Sequence, residues 1–178
     1  MMLKNLGFQE YLSIGYLYLL ILGVVSESIF YKMLGINILY FASLSDILTA
    51  PLTLLMSHWL IPVTIVGLIL LLIMANKLSE KYNAKHNKEQ AINTLIVGVA
   101  FLFFGFFIGI ELGRGTKQKS LIAEGKTEPT YQITFDDGQI QKVTIIGQNS
   151  TYLFYVPEKG KKLIIALIDG NVKRMEVL

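Results

Sequence analysis

The residues that could do chemistry in the first half of the chain are polar groups placed within or beside apolar sequence. Glu27 interrupts the apolar run from Tyr11 to Tyr31, whereas Asp46 precedes a second apolar run and His58 lies inside it. A carboxylate inside a membrane helix is costly, so it usually faces other helices or water rather than lipid. We predict that Glu27, Asp46 and His58 form a polar path. The alternative is that Glu27 and His58 lie at the lipid–water interface.

A second set of residues could bind a ligand in the last third of the chain. If they are exposed, its aromatic rings could stack on a nucleobase and its cations could bind phosphate. The predicted ligand-binding residues are Tyr152, Tyr155, Lys161, Lys162, Lys173 and Arg174. The alternative is that the aromatic residues fill a core and the basic residues form a solvated rim.

No catalytic motif accompanies these residues. The chain has no cysteine, and it lacks the phosphate-binding loops, HExxH motif and Ser–His–Asp set of common enzyme classes. Asp136 and Asp137 precede Gly138 and are typical of a turn. The second histidine, His86, lies in a predicted loop, which argues against a His-pair metal site. We expect no enzyme activity, no metal and no cofactor.

Three long, nearly uncharged stretches must position these groups. Each reaches the roughly 20 residues that a helix needs to cross a bilayer. The chain is 53% hydrophobic with a mean hydropathy of +0.53, which exceeds the usual range for soluble domains. We predict a multi-pass protein of the cell membrane, with spans at about 11–31, 51–75 and 91–112.

The sequence between the first two spans is apolar but interrupted by Gly35, Asn37, Ser43 and Asp46. It is too short and too broken for an independent span, so we predict a re-entrant or interfacial segment. The alternative is a structured loop packed on the membrane surface. Ser45 or Asp46 is the predicted cap of the helix that follows.

The third span carries glycines on one helical face. Small residues at four-residue spacing let helix backbones approach closely in lipid. The predicted helix-packing residues are Gly98, Gly105, Gly109 and Gly113. Their partner is span one, span two or a second copy of the chain, and the last choice gives a homo-oligomer.

The tail changes to short alternating runs separated by turns that contain Gly, Asp and Asn. The predicted strands are Tyr131–Phe135, Gln141–Ile146, Tyr152–Val156, Leu163–Ile168 and Val172–Val177. Five short strands favour a small SH3-like or Sm-like β domain. We therefore predict a helical membrane region at 1–116 and a soluble all-β domain at 117–178.

The side of the membrane that holds the tail depends on basic residues near the span ends. Lysines between spans two and three favour an external tail. The basic cluster from Arg114 to Lys119 favours a cytoplasmic tail against anionic lipid, and we expect the cytoplasmic arrangement.

The layout resembles small bacterial membrane effectors of anti-phage defence, in which a few N-terminal spans precede a compact domain that senses a nucleotide signal. The resemblance is carried by Gly35-Ile-Asn-Ile38, Asp46-Ile-Leu48, Gly147 to Tyr155 and Asn171 to Glu176. It implies a homo-oligomer that opens a pore or disrupts the membrane when a ligand binds, but it assigns no binding residue.

The function expected is therefore that of a homo-oligomeric membrane effector, an ion channel or pore gated by its β domain. The ligand would be a nucleotide or oligonucleotide signal, or a partner protein. The alternative is a non-catalytic membrane anchor or accessory subunit whose tail docks a partner protein.

Overall fold

The computed structural model describes residues 8–57, 63, 66, 67, 70 and 88–178. The chain divides into two compact units, the first made of Met1–Val25 and Thr49–Gly109, the second of Ser26–Leu48 and Ile110–Leu178. The predicted domain boundary between residues 116 and 117 lies inside the second unit. That unit therefore contains the β sheet together with parts of the helices that precede it.

The described part of the chain before the sheet includes the helices α1 (Phe8–Met33), α2 (Leu44–Ser57) and α3 (Lys88–Glu124), with a short 3₁₀ helix at Ile38–Tyr40. Leu12–Met33 and Ile96–Glu124 are long and apolar enough to cross a membrane, with mean hydropathies of 1.8 and 2.2. Only 17% of each apolar window is buried, so most of these side chains face outward. By length and composition, the two segments agree with the predicted first and third spans.

The predicted second span lies mostly outside the described residues. α2 covers its beginning, and residues 63, 66, 67 and 70 are also helical. The exposed apolar side chains in this stretch include Met56, Val63, Val66 and Leu70.

Both long helices end with the same glycine-based cap. Gly35 has a φ of +85° and Gly125 a φ of +66°, a left-handed conformation that costs glycine little. After α1, the Ile36 N–H donates to the Tyr31 carbonyl at 2.9 Å, which is the long bond of a Schellman motif. The chain therefore turns sharply away from α1, and the next residues fold back beside its last turn.

α3 continues to Glu124 rather than ending near Leu112, as the hydropathy pattern predicts. Its polar end contains Lys, Gln, Leu and Ala, which favour helix, and Ile122 on this turn is buried. With 37 residues and about 1.5 Å of rise per residue, α3 is roughly 55 Å long. It is therefore longer than the ~30 Å hydrocarbon core of a bilayer.

α2 begins with a reciprocal capping box. The N-cap is Ser43 rather than the predicted Ser45 or Asp46, because the Asp46 N–H donates to the Ser43 Oγ at 3.2 Å. In return, the Ser43 N–H donates to the Asp46 carboxylate at 2.8 Å. Asp46 thus occupies the third helical position, where a carboxylate completes the box and interacts favourably with the helix dipole.

In the first unit, α1 and α3 pack in parallel. The Tyr18 hydroxyl donates to the Ala100 carbonyl at 2.7 Å, and one turn later Leu22 is buried against Phe103 and Phe107. The two phenylalanine rings lie 4.5 Å apart between centroids. Residue numbers increase together along both helices, so they run in the same direction.

The tail forms a five-stranded antiparallel sheet in the order β4-β3-β2-β1-β5. Its strands are β1 (Tyr131–Phe135), β2 (Ile140–Gln148), β3 (Tyr152–Pro157), β4 (Ile164–Leu167) and β5 (Val172–Val177). The five predicted strands are confirmed, and they form one antiparallel sheet. β2 extends two residues beyond its predicted end at Ile146, and its pairing with β3 shifts register between Ile145 and Gly147.

β3 is buried on both faces, because a different cluster covers each. Leu153 and Tyr155 belong to the core of the sheet with Ile133 and Val143. Phe154, on the opposite face, packs with aromatic and aliphatic residues from α1 and the following segment. A strand of an antiparallel sheet commonly has one face in water, but the end of α1 and the segment after it cover that face of β3 instead.

Candidate functional site

The most connected polar site of the second unit joins the β2–β3 turn to the start of α2, and we call it the Asp46 junction. It consists of Ser43, Asp46, Asn149 and Ser150 with the Phe41 carbonyl. The Asp46 carboxylate accepts hydrogen bonds from the Ser150 N–H and hydroxyl, each at 3.1 Å. It also accepts the Ser43 hydroxyl at 2.7 Å. One carboxylate therefore both caps a helix and binds the turn of a hairpin.

Asn149 makes the second connection between the two segments. Its side-chain amide donates to the Phe41 carbonyl at 2.9 Å. Its side-chain oxygen accepts the N–H groups of Thr151 and Tyr152 at 3.0 and 2.7 Å, which fixes the turn that carries it. The amide is thus held by its own hairpin while it binds the neighbouring segment.

The electrostatics of the junction favour the charged form of Asp46. Burial raises its pKa, but the hydrogen bonds from Ser43 and Ser150 lower it by more, so the pKa lies below its usual range. An ionised carboxylate makes stronger hydrogen bonds than a neutral acid. The ionised carboxylate therefore strengthens the contact between hairpin and helix.

Aromatic side chains pack next to the Asp46 junction and support it. Phe41 lies 5.2 Å from the Tyr152 ring and 6.0 Å from the Phe154 ring, and Tyr31 lies 5.0 Å from Phe154. The Tyr31 hydroxyl fills a notch at Gly147, where any Cβ would overlap it. Glycine is needed here because the bulged strand and the tyrosine share the space.

A second polar group lies where α1 and α3 meet in this unit. Arg114 donates to both carboxylate oxygens of the buried Glu111, at 2.8 and 3.1 Å. Its guanidinium carbon lies 5.2 Å from the Phe30 ring centroid, within cation–π range. Next to this crossing, a Cβ on Gly115 would lie 2.8 Å from the Met33 Cβ, so only glycine permits the close approach.

The polar path stays a prediction. Glu27 is exposed on α1 and Asp46 is half-buried in the Asp46 junction, whereas His58 lies outside the described residues. The hydroxyls of Ser26 and Ser28, on either side of Glu27, are buried and lack a hydrogen-bond partner in the described portion of the chain. Sequence reasoning did not single out Glu111, although an acid one turn before Arg114 at the end of an apolar run was an available signal.

The predicted ligand-binding residues occupy two kinds of environment. Tyr155 is 5% exposed and Tyr152 is half-buried against Phe41, so neither ring offers an open face for a base in this conformation. The basic members are exposed: Lys161, Lys162, Lys173 and Arg174. Arg174 pairs with Glu176 at 2.6 Å. Ligand binding by this set stays a prediction.

The predicted helix-packing glycines form an open face of α3. A Cβ at Gly98, Gly105, Gly109 or Gly113 would meet no heavy atom within 4 Å among the residues that the structure describes. The close α1–α3 approach uses Gly115 instead, which the sequence reasoning missed because the four-residue spacing pointed to its neighbours.

No cluster of three His, Cys, Asp or Glu residues able to hold a metal occurs within the described ranges. The groups of the Asp46 junction connect the β2–β3 turn to the first turn of α2 and to Phe41 before it. Comparison of the chain with protein families, with curated proteins and with solved structures found no match in any of the three.

Proposed function

We propose that this chain is a homo-oligomeric effector of the bacterial inner membrane, an ion channel or pore whose β domain gates it. The observation that carries the proposal is the Asp46 junction. It binds the β2–β3 turn directly to the first turn of α2, the helix that leads into the second uncharged run. Displacing the hairpin would therefore displace the start of that helix.

The direction of the helices supports an arrangement with three membrane spans. α1 and α3 are parallel, so both cross from the same side of the bilayer. The chain between them must then cross back an odd number of times, and the uncharged run Ile47 to Asn76 is long enough for one crossing. The N-terminus and residues 76–89 lie on one side in this scheme, and the β domain lies on the other, which we propose is the cytoplasm.

The exposed carboxylate of Glu27 supports a hydrated path. An acid on an apolar helix is costly in lipid. Several copies of the chain, arranged with Glu27 inward, would give it water and neighbouring polar groups. Asp46 and His58 would extend the same path.

The β domain has features of a sensor. Its strand order, a meander from β1 to β4 with β5 returning beside β1, is that expected of an SH3-like or Sm-like barrel. Exposed Lys161, Lys162 and Lys173 supply positive charge for a nucleotide or oligonucleotide signal. A partner protein at this domain is the other candidate signal.

Two surfaces favour assembly with further copies. The open glycine face of α3 permits close helix packing in lipid. Strand β4, at one edge of the sheet, has no charged residue in Ile164–Leu167, and such an edge is poorly protected against pairing with another strand.

Ion flux through liposomes that contain the purified full chain tests the proposal. Asp46→Ala should change the flux at least several-fold, since it frees the hairpin from α2. Asp137→Ala is the matched control, because Asp137 also caps a backbone N–H, that of Gln139 at 2.9 Å, but lies in an exposed turn. Absence of flux from the native chain, from Asp46→Ala and from a chain lacking 125–178 would rule out a channel.

A membrane anchor that docks a partner protein is the second candidate. It is favoured by the exposed apolar side chains Ile140 and Val177 on the β domain, which could bind another protein. A monomeric chain that co-purifies from native membrane with a stoichiometric partner would support this function over the first.

A further inference from the structure

The segment between α1 and α2 has two apolar faces with different surroundings. Its inner side chains, Ile36, Ile38 and Phe41, pack with Phe154 of β3. Its outer side chains point away from the sheet, and Tyr40 is 84% and Leu44 73% exposed. We call the outer set the foot, and it consists of Leu39, Tyr40, Leu44 and Leu48.

The sequence around the foot provides no charge to solvate it. No Asp, Glu, Lys or Arg occurs between Lys32 and Asp46. The segment that carries the foot begins just after Met33, the last residue of a candidate span, and Leu48 already lies in the second uncharged run. Both ends of the segment are therefore tied to sequence suited to lipid, which places the foot at the bilayer surface.

The types of side chain agree with that location. Tyrosine favours the headgroup level, where its ring contacts acyl chains and its hydroxyl stays wet. Leucine at the neighbouring positions suits the shallow apolar layer in which interfacial segments lie. A re-entrant path is less compatible with the contacts, since the inner face and Asn149 hold the segment on the β domain.

We propose that the foot binds the lipid surface of the membrane, so that one segment carries the β domain on its inner face and contacts lipid on its outer face. The inference rests on the proposed membrane insertion of α1. It names the lipid headgroup layer as the partner of the segment that contains the Asp46 junction. A change in the bilayer would then act on the same segment that the β domain contacts.

Tryptophan quenching by brominated lipid tests the foot in the full chain reconstituted into liposomes. In a Trp59→Phe background, the reporters are Tyr40→Trp and, independently, Leu44→Trp, both at highly exposed positions that tolerate a larger ring. Leu17→Trp on the exposed face of α1 reports insertion of the span. Ile140→Trp, at the start of β2 and well exposed, is the matched control on the β domain.

We expect both foot reporters to be quenched at least twofold, and most by bromine near the headgroups. Leu17→Trp should be quenched by deeper bromine, and Ile140→Trp should remain bright. If Leu17→Trp is quenched while the foot reporters stay as bright as Ile140→Trp, the lipid contact is refuted and the membrane proposal stands. If Leu17→Trp also stays bright, insertion itself fails. If a second copy of the chain covers the foot instead, the fluorescence of the foot reporters should change with the protein-to-lipid ratio but not with bromine. That result would also refute the contact between the foot and lipid.

Discussion

At the residue scale, three small or polar positions decide how the second unit holds together. Gly147 leaves room for the Tyr31 hydroxyl, Gly115 lets α1 and α3 touch, and Asp46 connects hairpin and helix. The two glycines leave space that a side chain would fill, and the Asp46 carboxylate supplies acceptor oxygens. Substituting the glycines therefore tests packing, and substituting Asp46 tests charge.

Gly147→Ala should destabilise the fold by about 1–3 kcal/mol, because overpacking forces a buried side chain to move. The added Cβ meets the Tyr31 hydroxyl and lies 3.2 Å from the Tyr31 Cζ. Tyr31→Phe in the same background removes the first overlap and should recover part of the loss. Thermal unfolding in mild detergent measures both, and no recovery in the double variant would assign the cost to the bulge instead.

Gly115→Ala should also lower the unfolding temperature in detergent, since its Cβ would lie 2.8 Å from the Met33 Cβ and 3.3 Å from the Phe30 carbonyl oxygen. Gly15→Ala is the matched control on α1, where nothing described lies within 4 Å. There alanine should stabilise the helix by up to about 1 kcal/mol. Equal effects of the two changes would show that the crossing tolerates a methyl group.

At the element scale, the sequence pattern predicts the strands and the two apolar helices well, because periodicity and turn residues are local properties. It does not reveal that both faces of β3 are buried, since the cover for Phe154 comes from α1, more than a hundred residues earlier. Nor does it identify Ser43 as the N-cap, because Ser43 and Ser45 look alike until the backbone direction is known. The sequence predicts Asp46 as a candidate helix cap and as an acid near a polar path, but it does not predict the contacts of Asp46 with Ser150 of the hairpin.

The junction should weaken at low pH. The folded-state pKa of Asp46 is depressed, so its charge contributes stability above the ordinary Asp pKa of about 3.9. That contribution is lost as pH falls through the lower folded-state pKa. Asp46→Ala should cost about 1 kcal/mol near neutral pH, the usual worth of a cap. The difference in unfolding free energy between Asp46→Ala and the native chain should shrink below about pH 4. Ser150→Ala, which removes one partner of the carboxylate, should lower the unfolding free energy by part of that amount. If the difference for Asp46→Ala did not change with pH, the charge of Asp46 would not be what stabilises the junction.

At the scale of the whole molecule, the main property to explain is the exposed apolar surface of the helices. Most of the apolar windows of α1 and α3 is exposed, which in water would favour aggregation. In the proposed arrangement lipid covers that surface, and the parallel helices require a return crossing between them. The glycine face of α3 adds a flat, small-residue strip that lipid fills poorly and a second helix fills well.

Gly109→Leu should therefore weaken assembly at least tenfold without unfolding the chain, because a leucine at the point of closest approach separates the helices. The position is open in a single chain, with nothing described within 4 Å, so the monomer accommodates the change. Gly15→Leu, equally open on α1, is the control and should leave the assembly intact. Size measured by light scattering in mild detergent compares the two. If Gly109→Leu keeps the native oligomer size, the glycine strip contacts lipid rather than a second copy, and the assembly must use another surface such as the uncharged edge of β4.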